Sequence, residues 1–163
     1  MRKRYHWLSS VINKNNFTIG AEVGAATGNT TKYLLKYSPS LQKLIIVDSW
    51  IPVPNSTQWQ RDDMELVFRK KFENEDRISI LKGVSWEMAS NIKDASLDFV
   101  FIDASHDYDS VVKDITAWYP KMKARGLFCG HDINLPGVYK ATMEIFGERC
   151  KRAKIDNVWY VIV

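Results

Sequence analysis

The sequence predicts a single α/β domain: a doubly wound, Rossmann-like, mostly parallel seven-stranded sheet with helices on both faces and its last strand antiparallel. Three observations carry this. Strand-like and helix-like segments alternate five times along the 163 residues, the rhythm of right-handed crossovers in a parallel sheet. Leu44-Ile45-Ile46-Val47 is a continuous apolar run, as expected of a strand covered on both faces. Two closing runs are separated only by Asp156-Asn157, a turn short enough for antiparallel neighbours alone.

The elements follow in order. Residues 6–15 carry Trp7, Leu8, Val11 and Ile12 at helical spacing, and 17–23 form the first strand, ending at Gly24. A helix starts near Asn29, with Thr30 or Thr31 available as its cap, and closes at Pro39. The strand 44–47 ends in Asp48. Pro52 and Pro54 mark residues 50–60 as a loop, and 61–75 reads as a charged amphipathic helix. Strand 78–81, a short helix at 86–92 and strand 97–102 come next. A helix at 108–122 presents Val111, Val112, Ile115, Trp118 and Tyr119 on one side. Strand 126–130, helix 137–146 and the strands 151–155 and 158–163 complete the chain. Trp7, Trp118 and Trp159 are expected in the core and His6 on the surface, and Cys129 reads as a small buried residue.

Composition narrows the function classes. With 45% hydrophobic residues the chain is too apolar for disorder, and its longest apolar runs are far short of a membrane span. No apolar segment follows the basic start Arg2-Lys3-Arg4, so no signal peptide is expected, and two cysteines make no disulfide framework. These features predict a cytoplasmic protein without membrane association. The net charge of +4 permits an anionic partner, but the basic residues are scattered and read as solvated surface.

In such a sheet, ligands bind outside the carboxyl ends of the strands, where strand order reverses. Every strand end here carries small or acidic residues: Glu22 to Gly28, Asp48-Ser49-Trp50, Gly83-Val84-Ser85, Asp103-Ala104-Ser105-His106 and Gly130-His131-Asp132. Gly24 and Gly28 flank Ala25 and Ala26 in a tight turn where a ligand can touch backbone. Their spacing is not the G-x-G-x-x-G of dinucleotide enzymes, which speaks against an NAD-dependent activity. Asp48 ends the next strand, where a carboxylate can accept both hydroxyls of a ribose.

These motifs, in this order over residues 17–163, resemble the class I S-adenosylmethionine-dependent methyltransferases, with Ala26 in place of the usual middle glycine. The stretch 97–103, with His106-Asp107-Tyr108, Val111-Val112, Asp114, Gly126 and 130–132, resembles a subgroup of small bacterial enzymes associated with O-methylation of sugars and natural products. The resemblance implies a seven-stranded fold and S-adenosyl-L-methionine as cofactor. It implies that Glu22, Gly24, Ala25, Ala26, Gly28, Asp48, Ser49, Gly83, Val84, Ser85 and Asp103 bind that cofactor. In metal-dependent members, acids at the ends of the fourth and fifth strands hold a divalent cation. Asp103 and Asp132 match those positions, and His131 stands where an acid is more usual.

A Mg²⁺ or another divalent metal on Asp103, His131 and Asp132 would lower the pKa of an acceptor hydroxyl; the imidazole favours Zn, Mn, Fe or Co over Mg. The competing reading of His131-Asp132 is a hydrogen-bonded pair that only shapes the pocket. Catalysis is expected to fall to His106, Asp103 and Asp132. His106 is suited to take a hydroxyl proton at neutral pH, or else it starts the following helix. Trp50 and Trp59 are either a substrate wall or caps on the core. The expected activity is transfer of a methyl group to a hydroxyl of a small molecule or sugar, in a chain that a second subunit could complete. A nucleic-acid methyltransferase and a non-catalytic cofactor-binding module are the alternatives. Nucleic acid is the less expected partner, because no Asn/Asp-Pro-Pro-Tyr follows the fourth strand.

Overall fold

The computed structural model describes residues 3–51 and 64–163. Seven strands form one sheet in the order β3-β2-β1-β4-β5-β7-β6. They are β1 (Ile19–Val23), β2 (Lys43–Asp48), β3 (Ile78–Lys82), β4 (Leu97–Ile102), β5 (Met122–Gly130), β6 (Lys151–Arg152) and β7 (Trp159–Ile162). The first five are parallel, and β7 runs antiparallel to both β5 and β6. Among the described residues, six α-helices accompany them: α1 (Arg4–Asn15), α2 (Asn29–Tyr37), α3 (Met64–Lys71), α4 (Ser85–Met88), α5 (Tyr108–Trp118) and α6 (Pro136–Phe146).

Side chains alternate between the two faces of each strand, and the sheet sorts them into two cores. Ala21, Val23, Ile45, Val47, Val100, Ile102 and Phe128 face α5 and α6, meeting Val111, Ile115, Trp118, Val138 and Phe146. Leu44, Ile46, Phe99, Phe101, Leu127 and Cys129 face the other way, onto Leu8 and Ile12 of α1, Leu34 of α2 and Phe68 of α3. Continuous apolar strands are what two covered faces require. At the lower edge, Asp98 Oδ2 accepts from the Thr18 and Ile19 amides at 2.8 and 3.0 Å, and Lys123 Nζ donates to Oδ1 at 2.7 Å. One carboxylate thereby ties the starts of β1, β4 and β5.

Several local expectations are corrected. Neither Thr30 nor Thr31 caps α2. Gly28 takes the cap position with φ 77°, and the Thr31 hydroxyl donates instead to Glu22 at 2.6 Å. The helix from Tyr108 stops at Trp118 because Pro120 interrupts the ladder. A 3₁₀ turn follows, and β5 starts at Met122 rather than near residue 126. The strand expected at 151–155 shrinks to two residues. Six residues, 153–158, therefore separate β6 from β7 rather than Asp156-Asn157 alone, and those two form the turn within this connection, with φ 47° and 53° and the Val158 amide donating to Ile155 O at 3.3 Å. Trp118 and Trp159 are fully buried, whereas Trp7 is half-buried and packs on Tyr160. His6 is half-buried as well, its ring packing against those of Tyr5 and Tyr33, which also touch each other. Trp59, Pro52, Pro54 and residues 61–63 of the expected helix lie outside the described residues. No helix among the described residues is long and apolar enough to cross a membrane.

Candidate active site

Strand order reverses between β1 and β4, so the crevice of this sheet opens above Val23 and Ile102. Backbone hydrogen bonds stitch the rim: Gly24 N to Val47 O (2.8 Å), Asp103 N to Val23 O (2.7 Å), His131 N to Ile102 O (3.0 Å) and Gly83 N to Asp48 O (3.0 Å). The side chains that follow each strand therefore emerge side by side.

The turn after β1 is built for close approach. Gly24 has φ 90°, and a Cβ there would stand 2.2 Å from the Asp103 carbonyl oxygen, so only glycine lets the turn lie against β4. Asp48 holds the turn from the other side. Its Oδ2 accepts from the Ala25 and Ala26 amides at 2.8 and 2.9 Å, and its Oδ1 accepts from the Trp50 amide at 2.8 Å. Three of about four acceptor sites on the carboxylate are thus in use, and a ribose would share the last or exchange with an amide. The Trp50 indole donates to Ala26 O at 2.9 Å and packs on Phe68, which makes Trp50 a cap on the turn and the core. Ser49 Oγ accepts from the Ile51 amide at 3.2 Å.

Glu22 lies beneath this turn, 2% exposed, with the Thr31 hydroxyl on Oε2. Burial pushes its carboxyl up to about 8, with Asp103 and Asp48 adding to the rise against Thr31 and Arg4. Gly83 and Val84 stand at the end of β3. Ser85 turns inward: its hydroxyl donates to the fully buried Asp114 of α5, and its carbonyl accepts from the Trp118 indole at 3.1 Å. Burial raises the Asp114 carboxyl to about 6.

The ends of β4 and β5 bring a charged cluster together. Asp103 Oδ1 is 3.6 Å from His131 Nδ1, and Asp132 Oδ1 is 3.0 Å from the same nitrogen. His106 Nε2 lies 3.0 Å from Asp132 Oδ2. Donor atoms from Asp103, His131 and Asp132 fall within 4.8 Å of one another, close enough for one cation to touch all three. In number and spacing this set fits a divalent ion, and its mixed oxygen and nitrogen donors suit Mn, Fe, Co or Zn better than Mg. Asp132 holds φ 56°, a left-handed backbone that aims its side chain back across the rim. Trp159 fixes its neighbour, donating its indole hydrogen to His131 O at 3.2 Å.

Two members of the cluster carry no signal in the sequence. Arg4, at the start of α1, places Nε 3.0 Å from Asp103 Oδ2. Asp156, in the last hairpin, accepts from the Arg4 amide at 2.8 Å and lies 3.7 Å from His131 Nε2. They are 152 residues apart, and only the folded sheet joins them. Asp103 is pushed up to about 6 by burial, while Arg4 and His131 pull it down and Asp132 adds to the rise.

The comparisons with known proteins agree with this architecture. Residues 21–133 match the family model described as a methyltransferase domain, well over half of the chain. The chain belongs to this methyltransferase family. Its members by the sequence motifs above are S-adenosylmethionine-dependent enzymes, and the matched segment holds every strand end of the rim from Glu22 to Asp132. No curated protein matches the sequence. Among solved structures, the methyltransferase is similar to a Staphylococcus aureus protein provisionally described as a caffeoyl-CoA O-methyltransferase. That pair has a TM-score of 0.75 at 16% identity, over 100% of this chain and 85% of the other. An O-methyltransferase from Bacillus cereus in complex with SAH gives 0.69 at 15% identity, over 98% and 80% of the two chains. A TDP-rhamnose 3'-O-methyltransferase of calicheamicin biosynthesis gives 0.67 at 12%, over 96% and 77%. At these identities the likeness is one of fold.

Proposed function

We propose that the methyltransferase moves the methyl group of S-adenosylmethionine to a hydroxyl of a small-molecule or sugar acceptor, with His106 as the base. The observation that carries this is the His106–Asp132 pair, 3.0 Å apart at the rim of β4 and β5, beside the Gly24 turn. The contact with Asp132 holds the ring by Nε2, which leaves Nδ1 to take the hydroxyl proton. The acceptor oxygen then attacks the methyl carbon in line, the sulfur–carbon bond breaks, and the sulfonium leaves as a neutral thioether. His106 is open to solvent, with 44% of its side chain exposed.

The residues assigned to the cofactor divide by position. Gly24, Ala25, Ala26 and Gly28 offer bare backbone, and Asp48 offers a carboxylate to the ribose. Ser49, Gly83, Val84 and Ser85 line the β2 and β3 ends, and Asp103 gives the sulfonium a carboxylate neighbour. Glu22 supports the turn from below through Thr31. A divalent cation, when bound, would be held by Asp103, His131 and Asp132 and would make the acceptor hydroxyl more acidic. Relatives of the same fold described as O-methyltransferases support a hydroxyl acceptor.

The test is transfer of labelled methyl groups to a panel of catechols, sugars and nucleotide sugars, with and without a chelator. Wild type is expected to methylate hydroxyl acceptors. His106→Ala should lose about 10²- to 10⁴-fold in kcat with cofactor affinity unchanged. Methylation confined to amines or nucleic acid, or full activity in His106→Ala, would refute the proposal. A loss on chelation, restored by Mn²⁺, is expected of the cation reading.

A further inference from the structure

The carboxylate cage at the β4–β5 rim already holds a cation that belongs to the chain. Asp103, Asp132 and Asp156 surround His131, and among the described residues the one permanently charged cation beside them is the Arg4 guanidinium. Arg4 meets Asp103 on Oδ2, the oxygen next to the one that faces His131. We propose that Arg4 is a tethered competitor for the divalent cation: it neutralises Asp103 while the cage is empty and keeps metal affinity low until it swings aside. The inference rests on the reading of Asp103, His131 and Asp132 as cation ligands.

Three features support it. First, a guanidinium beside a ligand carboxylate repels an incoming dication across a few ångströms of protein interior, where charge is poorly screened. Second, the contact is close but not locked. Arg4 Nε is buried and 3.0 Å from the carboxylate, yet its N–H is not aimed at an acceptor in hydrogen-bond geometry. An ion pair without that alignment gives up its partner more readily than a forked one. Third, the tether is separate from the charge. The Arg4 amide donates to Asp156 at 2.8 Å whatever the side chain is, so the start of α1 stays docked while the guanidinium moves.

The experiment is a Mn²⁺ titration of the full chain, read as free-ion signal by electron paramagnetic resonance, on wild type, R4M, R4Q and R4K. Both neutral variants keep the amide bond to Asp156 and should bind Mn²⁺ at least about tenfold more tightly than wild type, because the cage loses the fixed positive charge beside Asp103. R4K keeps the charge and should bind as weakly as wild type. Should all four bind Mn²⁺ equally, the competitor role is overturned while the cation site stands. Should none bind it at millimolar concentration, the cation site itself falls and the competitor role with it. Circular dichroism of each variant establishes that the fold is intact, and two neutral side chains of different shape guard against a packing defect in either one.

Discussion

Replacing Glu22 by glutamine should make the protein more stable at neutral and alkaline pH and leave it unchanged in acid. Glu22 is enclosed under the Gly24 turn, and burial lifts its carboxyl from 4.5 to about 8. A raised acid pKa means that the folded state binds a proton the unfolded chain has already released. Stability is then full below pH 4.5 and falls as pH rises through the folded value, at about 1.4 kcal/mol per pH unit. Over the whole interval the loss amounts to about 4–5 kcal/mol, of which about 3 is incurred by pH 7. Glutamine has the shape of the protonated acid and still offers an oxygen to the Thr31 hydroxyl, but it does not titrate. Urea unfolding of wild type and E22Q from pH 5 to 9 reads the effect directly. The two curves should lie within about 1 kcal/mol of each other at pH 5 and separate by about 3 kcal/mol at pH 7, a large part of an ordinary domain's stability. Parallel curves across the range would refute the claim that Glu22 folds as a neutral acid, and with it the account of the floor of the turn.

Gly24→Ala should cost about 3 kcal/mol or more, from a Cβ driven into the Asp103 carbonyl at φ 90°; a loss under about 1 kcal/mol in chemical unfolding would show the turn to be slack. Ser85→Ala removes the donor to the buried Asp114 carboxyl, whose other oxygen has no partner. The variant should lose about 1–3 kcal/mol at pH 8 and less at pH 5, where the acid is protonated; a pH-independent loss would contradict the pairing.

Much of this arrangement is legible in the residue order because the fold exposes strand ends in a predictable place. Gly24, Asp48, Asp103 and Asp132 each follow an apolar run, and parallel pairing brings every such terminus to the same rim. The continuous run 44–47 and the Asp156-Asn157 turn likewise report on their own surroundings. What stays hidden depends on partners distant in sequence. Thr31 reads as a helix cap until Glu22 is seen beneath it, at which point a buried carboxyl outbids a solvated helix end for the hydroxyl. Arg4 reads as one basic residue among many, and Asp156 as a turn former, until β7 folds back beside β5 and closes the distance between the two ends of the chain. Asp114 stands in an apolar helical stripe, where nothing local indicates that Ser85 will satisfy it. The early end of α5 was visible in Pro120, although helical periodicity continued past it.

The central claim is that the rim formed by the Gly24 turn and Asp48 holds the adenosyl donor. Calorimetric titration with S-adenosylhomocysteine, run on wild type and Asp48→Ala, tests it most directly. Saturable binding is expected in wild type, weakened by about 1–3 kcal/mol in the variant as a charged hydrogen-bond acceptor disappears. Absence of any heat at millimolar ligand in wild type, or equal affinity in the two proteins, would contradict it.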